Sequence, residues 1–200
     1  MNVANKNILI DFNYTLCFDY FWRSAEASER AIIAEFLFKQ NIKLVDDWMI
    51  GKYSSEDINR FLAEKLNIDY EYLWNIFIED CKTMYIEPEL IALIKKLRQK
   101  AKVFLVTDNM DCFDRFTVPA LSLHEVFDGI YNSYNHQCLK SSGLFNVVKE
   151  IENIEFPHSL LIDDSKTVIN IFTQLGGEVL SVSSSEDTFE ILTRLANLFE

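Results

Sequence analysis

The chain has 200 residues, 49% of them hydrophobic, which is enough to bury a sizeable core and excludes a disordered protein. Its 19 Lys and Arg stand against 31 Asp and Glu, a formal net charge of −12, so phosphates of nucleic acids and anionic membrane surfaces would be repelled. The five glycines form neither a dinucleotide fingerprint nor a P-loop, the cysteines Cys17, Cys81, Cys112 and Cys138 contain no C-x-x-C pair, and no apolar run approaches the roughly 18 residues of a membrane span. These features predict a cytoplasmic chain with free thiols and no cleavable leader, no membrane segment and no nucleic-acid partner.

In chain order, the apolar run at residues 7–12 (NILIDF) predicts a first strand. The interval that follows has no convincing strand and reads as helices. Residues 21–39 carry Phe21, Ile32, Ile33, Phe36 and Leu37 at helical spacing. Ser54 or Ser55 can N-cap a helix through Leu66, with Glu56 and Asp57 favourably placed in its first turn. Residues 70–84 give another helical stretch, and Pro88 suits the first turn of a helix leading through Leu90, Leu93, Ile94 and Leu97 to a second strand at Lys102–Thr107. Beyond it, strands at 127–131, Ser159–Asp163 and 178–182 alternate with helical stretches at 111–120, 143–152 and 166–175, and a serine run at 181–185 caps a final helix. Strands joined by crossover helices make an α/β fold with a parallel sheet. The expected organisation is a sheet domain of residues 1–16 and 87–200, interrupted by an all-helical insert of residues 17–86. Most insert aromatics, among them Trp48, Tyr70, Tyr72, Trp74 and Phe77, should form its core, with Tyr14, Phe18 and Trp22 as candidate pocket walls.

Ligands of open parallel sheets bind at the carboxyl ends of the strands, so residues just after each apolar run carry the functional signal. The first strand ends in Asp11-Phe12-Asn13-Tyr14-Thr15, the second in Thr107-Asp108-Asn109 and the fourth in Asp163-Asp164-Ser165, with Lys140 between the third and fourth. Asp11, Asp163 and Asp164 offer the hard carboxylate oxygens that Mg²⁺ prefers; Thr107 and Lys140 offer a donor and a positive charge to phosphate oxygens. One carboxylate would remain to attack, dividing a difficult hydrolysis into two transfers.

Together, D-F-N-Y-T, T-D-N, the lysine of C-L-K-S-S-G and L-I-D-D-S resemble the four motifs of the haloacid dehalogenase (HAD) superfamily, over the whole chain. The helical insert resembles that superfamily's C1 cap, and Gly51-Lys52-Tyr53-Ser54-Ser55-Glu56 resembles a turn common in such caps. The resemblance implies a Rossmann-like core closed by a mobile cap, and a Mg²⁺-dependent phosphatase acting on a small phosphorylated metabolite. By the same resemblance Asp11 would be the nucleophile that forms an aspartyl-phosphate. Thr107 and Lys140 would bind the transferring group, with Asp108 and Asn109 beside them facing substrate. Asp11, Asp163, Asp164 and the backbone carbonyl of Asn13 would hold Mg²⁺, and Thr15 would buttress the loop.

Phosphatases of the superfamily usually carry an aspartate at the position of Asn13, where it protonates the leaving group. An amide cannot deliver a proton, and loss of a general acid of this kind costs about 10²–10⁴-fold in rate. Four readings stay open: a slow phosphatase whose leaving group needs little protonation, a weakened relative that binds a phosphorylated ligand or a protein partner, a deliberate Asp→Asn change, or a haloacid dehalogenase-type hydrolase. Asp19, Asp111, Asp114 and His136 are alternative proton sources by proximity in sequence.

Overall fold

The computed structural model describes residues 7–198. Residues 1–6 and 199–200, the ends of the expected sheet domain and part of the stretch read as free of a leader, lie outside the described residues. Five strands, β1 (Asn7–Ile10), β2 (Lys102–Thr107), β3 (Gly129–Asn132), β4 (Ser159–Asp163) and β5 (Glu178–Ser181), pair in parallel in the order β3-β2-β1-β4-β5. The strand period of two sends alternate residues to opposite faces. Ile8, Ile10, Val103, Leu105, Leu160 and Ile162 pack with Leu90, Ile94 and Leu97 of α5 (Pro88–Leu97) and Leu192 and Leu195 of α10 (Ser185–Asn197). Leu9, Phe104, Val106 and Leu161 pack on the other face with Leu144, Phe145 and Val148 of α8 (Leu144–Glu152) and Val168 and Phe172 of α9 (Lys166–Gln174). This is the expected α/β class, a parallel sheet covered by helices on both sides.

β3 runs one residue further than expected, to Asn132, and β5 stops one residue earlier, at Ser181; two larger differences have local reasons. β1 stops at Ile10 instead of residue 12 because the Phe12 carbonyl turns to accept from Leu16 N (2.9 Å) and Cys17 N (3.0 Å). β3 begins at Gly129 instead of residue 127; Asp128 is tied to β2 by its own N–H on Val103 O (2.8 Å) and by its carboxylate on Val103 N (2.8 Å). The stretch 111–120 is a π-helical turn, Phe113–Thr117, followed by the short α6 (Val118–Ala120), since Pro119 has no N–H with which to extend a regular helix.

Between β1 and β2 lie α1 (Ala27–Glu35), continued by a π-helical turn (Phe36–Gln40), then α2 (Ile42–Met49), α3 (Ser55–Leu66) and α4 (Tyr70–Lys82). Ser54 caps α3 as expected, and its own N–H donates in return to Asp57 Oδ2 (3.0 Å). The helix expected over 21–39 starts only at Ala27. Trp22 adopts left-handed backbone (φ +57°), and Ser24 is held by Asp80 of α4 through its N–H (3.0 Å) and hydroxyl (2.6 Å). Helix α2 was given no element of its own in the interval read as helical; Asn41 stands at its N-cap but donates its side chain to Phe36 O (2.9 Å), closing the preceding turn. Trp22, Trp48, Ile58, Leu62, Leu73 and Phe77 form a separate apolar cluster that also takes in Met110 and Cys112 from the segment after β2. Cys17, Met84 and Ile86 pack instead with the sheet.

Phe77 is fully buried, with Trp22 and Trp48 rings 4.8 and 6.1 Å away. Phe77→Ala should cost about 3–5 kcal/mol in urea unfolding followed by circular dichroism. A loss below about 1 kcal/mol would show that this cluster does not carry the insert.

Candidate active site

The order of the sheet reverses at β1, which has β2 on one side and β4 on the other, and the crevice beyond their carboxyl ends is the natural ligand position. Asp11 continues β1 by one residue, donating its N–H to Ile162 O (3.0 Å), and so stands beside Asp163 at the end of β4. Lys140 arrives from the loop after α7 (Ser133–His136), and its Nζ lies 2.7 Å from Asp163 Oδ2 and 2.9 Å from Asp11 Oδ1. The contact to Asp163 is a hydrogen bond; that to Asp11 is an ion pair without hydrogen-bond alignment. All three side chains are buried. Two neighbours hold the arrangement: Asp108 Oδ1 accepts the Lys140 N–H (2.7 Å), and Asp163 Oδ1 accepts from Ser165 N (2.8 Å).

One carboxylate oxygen each of Asp11, Asp163 and Asp164 lie within 4.8 Å of one another. The balance of charge is lopsided, with one ammonium among the carboxylates of Asp11, Asp108, Asp163 and Asp164. Burial is the main cause that pushes the Asp11 carboxyl up to about 7; Lys140 opposes the rise and Asp163 adds to it. Burial likewise raises Asp108 and Asp164 above the usual carboxylate range. Burial works against the charge of Lys140, but Asp11, Asp163 and Asp108 outweigh it and hold the ammonium above the ordinary lysine range. A compact set of hard oxygen donors with surplus negative charge fits a divalent cation of the Mg²⁺ type.

Thr107 ends β2 opposite Asn132, and its Oγ1 is buried with no hydrogen-bond partner among the described residues. Asn109 follows. Its Oδ1 accepts from Met110 N (3.0 Å), which turns its Nδ2 towards Asn13 Oδ1 (2.8 Å). Asn13 therefore spends its amide oxygen on Asn109 and keeps its NH₂ group for other partners. The tight loop that presents Asn13 closes through Tyr14 N to Cys17 O (2.8 Å) with Tyr14 in left-handed backbone (φ +57°), and Thr15 anchors it by accepting from Thr188 Oγ1 of α10 (2.7 Å).

Above the strand ends lies a cavity of about 520 Å³, with Asn13, Asp108 and Asn109 on the sheet side and residues of the insert opposite. Tyr14 and Trp22 line it, whereas Phe18 does not and instead packs edge-on against Tyr14. Of the alternative proton sources, only Asp19 lines the cavity, and its carboxylate already accepts from Tyr85 N (2.9 Å). Asp114 accepts from Asn132 and Asn135, and His136 stacks on Tyr131.

Asp111 has a different task, one that sequence reasoning missed. It accepts from Trp48 Nε1 (3.0 Å), Ser55 N (3.1 Å) and Ser55 Oγ (2.6 Å), and pairs with Arg115 (2.7 Å), which in turn forks onto Glu56. Ser133 adds a second tie by donating to Met49 O (2.8 Å) while accepting from Asn109 N (3.0 Å). These bonds fasten the insert to the segments after β2 and β3. The only sequence signal was a carboxylate four residues after the second strand end, which reads equally as a helix cap.

The buried Asp11 carboxylate makes stability depend on pH. A group whose carboxyl titrates at about 7 when folded, against an ordinary 3.8, favours folding below pH 4 and loses that contribution as pH rises through 7. In chelator, Asp11→Asn should therefore melt about 5 °C or more above the parent chain at pH 8, with the gap closing towards pH 4. Equal melting temperatures at pH 8 in calorimetry would contradict the strain assigned to Asp11.

No protein-family model matches the sequence, and no curated protein matches it. Solved structures do. An HAD-family enzyme of Bacteroides thetaiotaomicron, BT-2542, superposes with a TM-score of 0.76 at 20% identity, covering 94% of this chain and 98% of its own. It has also been crystallised with magnesium and inorganic phosphate. A predicted HAD-like hydrolase of Porphyromonas gingivalis gives a TM-score of 0.73 at 18% identity over 96% of this chain and 98% of its own. The L-2-haloacid dehalogenase of Xanthobacter autotrophicus gives 0.66 at 16% identity over 88% and 77%. With its strand order, its helical insert after β1 and its acidic cluster at the reversal point, this chain has the haloacid dehalogenase-like fold.

Proposed function

We propose that the chain is a Mg²⁺-dependent HAD-type hydrolase of small phosphate monoesters, with residues 17–86 acting as the cap over the sheet domain of 1–16 and 87–200. The observation that carries this reading is the buried cluster in which Lys140 bridges Asp11 and Asp163 while Asp164 completes a carboxylate trio. The Bacteroides and Porphyromonas structures support it.

In this mechanism an Asp11 carboxylate oxygen attacks phosphorus, the bond to the leaving oxygen breaks, and its electron pair departs with that oxygen. Lys140 keeps its proton throughout and offsets charge on Asp11 and the transferring group. The unpartnered Thr107 hydroxyl donates to a phosphoryl oxygen. Asp11, Asp163, Asp164 and the carbonyl of Asn13 would hold Mg²⁺, which supplies charge neutralisation between the attacking carboxylate and the phosphate. The Asn13 amide hydrogen-bonds the leaving oxygen without protonating it, so the leaving group departs as an anion or takes its proton from water. Water then attacks the aspartyl-phosphate, releasing phosphate and restoring Asp11.

Asn13 also favours a second reading, dehalogenation or ligand binding without turnover, because a halide needs no proton on leaving. One panel decides. Phosphate release from sugar phosphates, nucleotides and an activated aryl phosphate, and halide release from 2-haloacids, are measured for this chain, Asn13→Asp and Asp11→Ala. The expected pattern is slow phosphate release by this chain and none by Asp11→Ala. Asn13→Asp should be about 10²-fold or more faster on unactivated esters, since an aspartate at 13 keeps the acceptor that Asn109 needs. Halide release without phosphate release would move the assignment to a dehalogenase.

Metal binding has its own readout. Mg²⁺ at 100 times its Kd should stabilise the fold by about 2.7 kcal/mol, seen as a higher melting temperature that Asp164→Asn largely abolishes. A melting temperature indifferent to Mg²⁺ would remove the metal from the scheme.

A further inference from the structure

The cavity above the strand ends is poorly suited to a sugar. Beyond Asn13, Asp108 and Asn109, its walls are dominated by Phe21, Trp22, Ile33, Phe38, Val45 and Met49. A polyhydroxylated ligand would leave hydroxyl groups without partners against such walls, and unpaired polar groups are what a binding site rejects most strongly. Phe38, Tyr14 and Tyr20 are also about half exposed where they line it, so the apolar character extends to the cavity's open side.

One lining residue breaks this character. Arg30 of α1 is the sole Lys or Arg among the lining residues. Its Nη1 donates to the carbonyls of Arg23 (3.1 Å) and Ala25 (2.7 Å), and among the described residues it meets no carboxylate. Arg23, Arg60, Arg98 and Arg115 all do, whereas Arg194, which does not line the cavity, has no carboxylate partner among the described residues either. Nor do the two carboxylates lining the cavity answer it: Asp19 is bound to Tyr85 N and lies 3.9 Å from Arg23, and Asp108 is bound to Lys140 N. In a chain with a net charge of −12, an arginine held by backbone carbonyls on an apolar wall is a site for an anion carried by the ligand.

We propose that the substrate's organic half is apolar or aromatic and bears a carboxylate that Arg30 receives, while its phosphate lies at Asp11 and Lys140. This rests on the phosphatase reading for the phosphate and adds the specificity of the opposite wall. The two carbonyl bonds fix part of the guanidinium in advance, leaving Nε and Nη2 to meet the carboxylate.

The test compares two esters of similar shape, 4-carboxyphenyl phosphate and 4-carbamoylphenyl phosphate, with glucose 6-phosphate as the sugar control, on the full chain with Mg²⁺. The ratio of kcat/KM for the carboxylate over the amide should be about tenfold or more and reside in KM. Arg30→Gln should bring that ratio close to one, and Arg30→Lys should keep part of it. Since Arg30 also holds two carbonyls, a second variant leaves it in place: Ala34→Glu sets a carboxylate one helical turn along on the same wall and should collapse the ratio in the same way. An equal ratio in the parent chain, Arg30→Gln and Ala34→Glu, or a preference for glucose 6-phosphate, overturns the proposal. If no ester is hydrolysed the phosphatase reading fails, and calorimetry with 4-carboxybenzylphosphonate and its carbamoyl analogue decides the Arg30 site alone. Tighter binding of the carboxylate, lost in both variants, supports it; equal binding overturns it.

Discussion

The structure turns on one ammonium group. Lys140 is buried between Asp11 and Asp163, and without it the ends of β1 and β4 would face each other with like charges and no water to screen them. Lys140 offsets only part of what burial and Asp163 do to Asp11, whose carboxyl stays raised mainly because it is buried. The sheet therefore delivers its functional groups in a state of electrostatic imbalance, tolerated because the hydrophobic layers on both faces hold the strands in register regardless.

A second constraint joins the insert to this centre. Asp111 and Ser133 reach across to Trp48, Ser55 and the carbonyl of Met49, and both belong to the segments that also position Asn109. Asn109 in turn orients the Asn13 amide. A chain of hydrogen bonds thus runs from the helices of the insert to the Asn13 amide at the end of β1. The insert and the reacting end are mechanically one unit in this arrangement, and relocating the insert means breaking the bonds of a buried carboxylate, which costs more than parting apolar faces of the same size.

Much of this was legible in the sequence. Short apolar runs of strand length separated by helical periods pointed to the sheet, and of the polar residues after those runs Asp11, Lys140, Asp163 and Asp164 lie together. Such residues are readable because a strand end is a fixed address: the periodicity that builds the core also dictates where the chain surfaces. Asp111 and Arg30 were not readable for the opposite reason. Each acts through contacts across long sequence separations, Asp111 with Trp48 and Ser55, Arg30 with a cavity assembled from three segments. Helix α2 was not separated from the helical stretch before it, since Asn41, its N-cap, gives its side chain to Phe36 O of the preceding turn.

The placement of the aromatic residues has an optical consequence. All three tryptophans, Trp22, Trp48 and Trp74, belong to the insert, and the sheet contains none. Intrinsic tryptophan emission is therefore a private reporter of the insert, blind to the five strands. Trp48 adds a finer signal, since its indole N–H is bonded to Asp111 across the boundary, and any loosening of that boundary alters the polarity around a single fluorophore. Native chemistry has in effect labelled one half of the molecule, so that its motions can be followed without attaching anything.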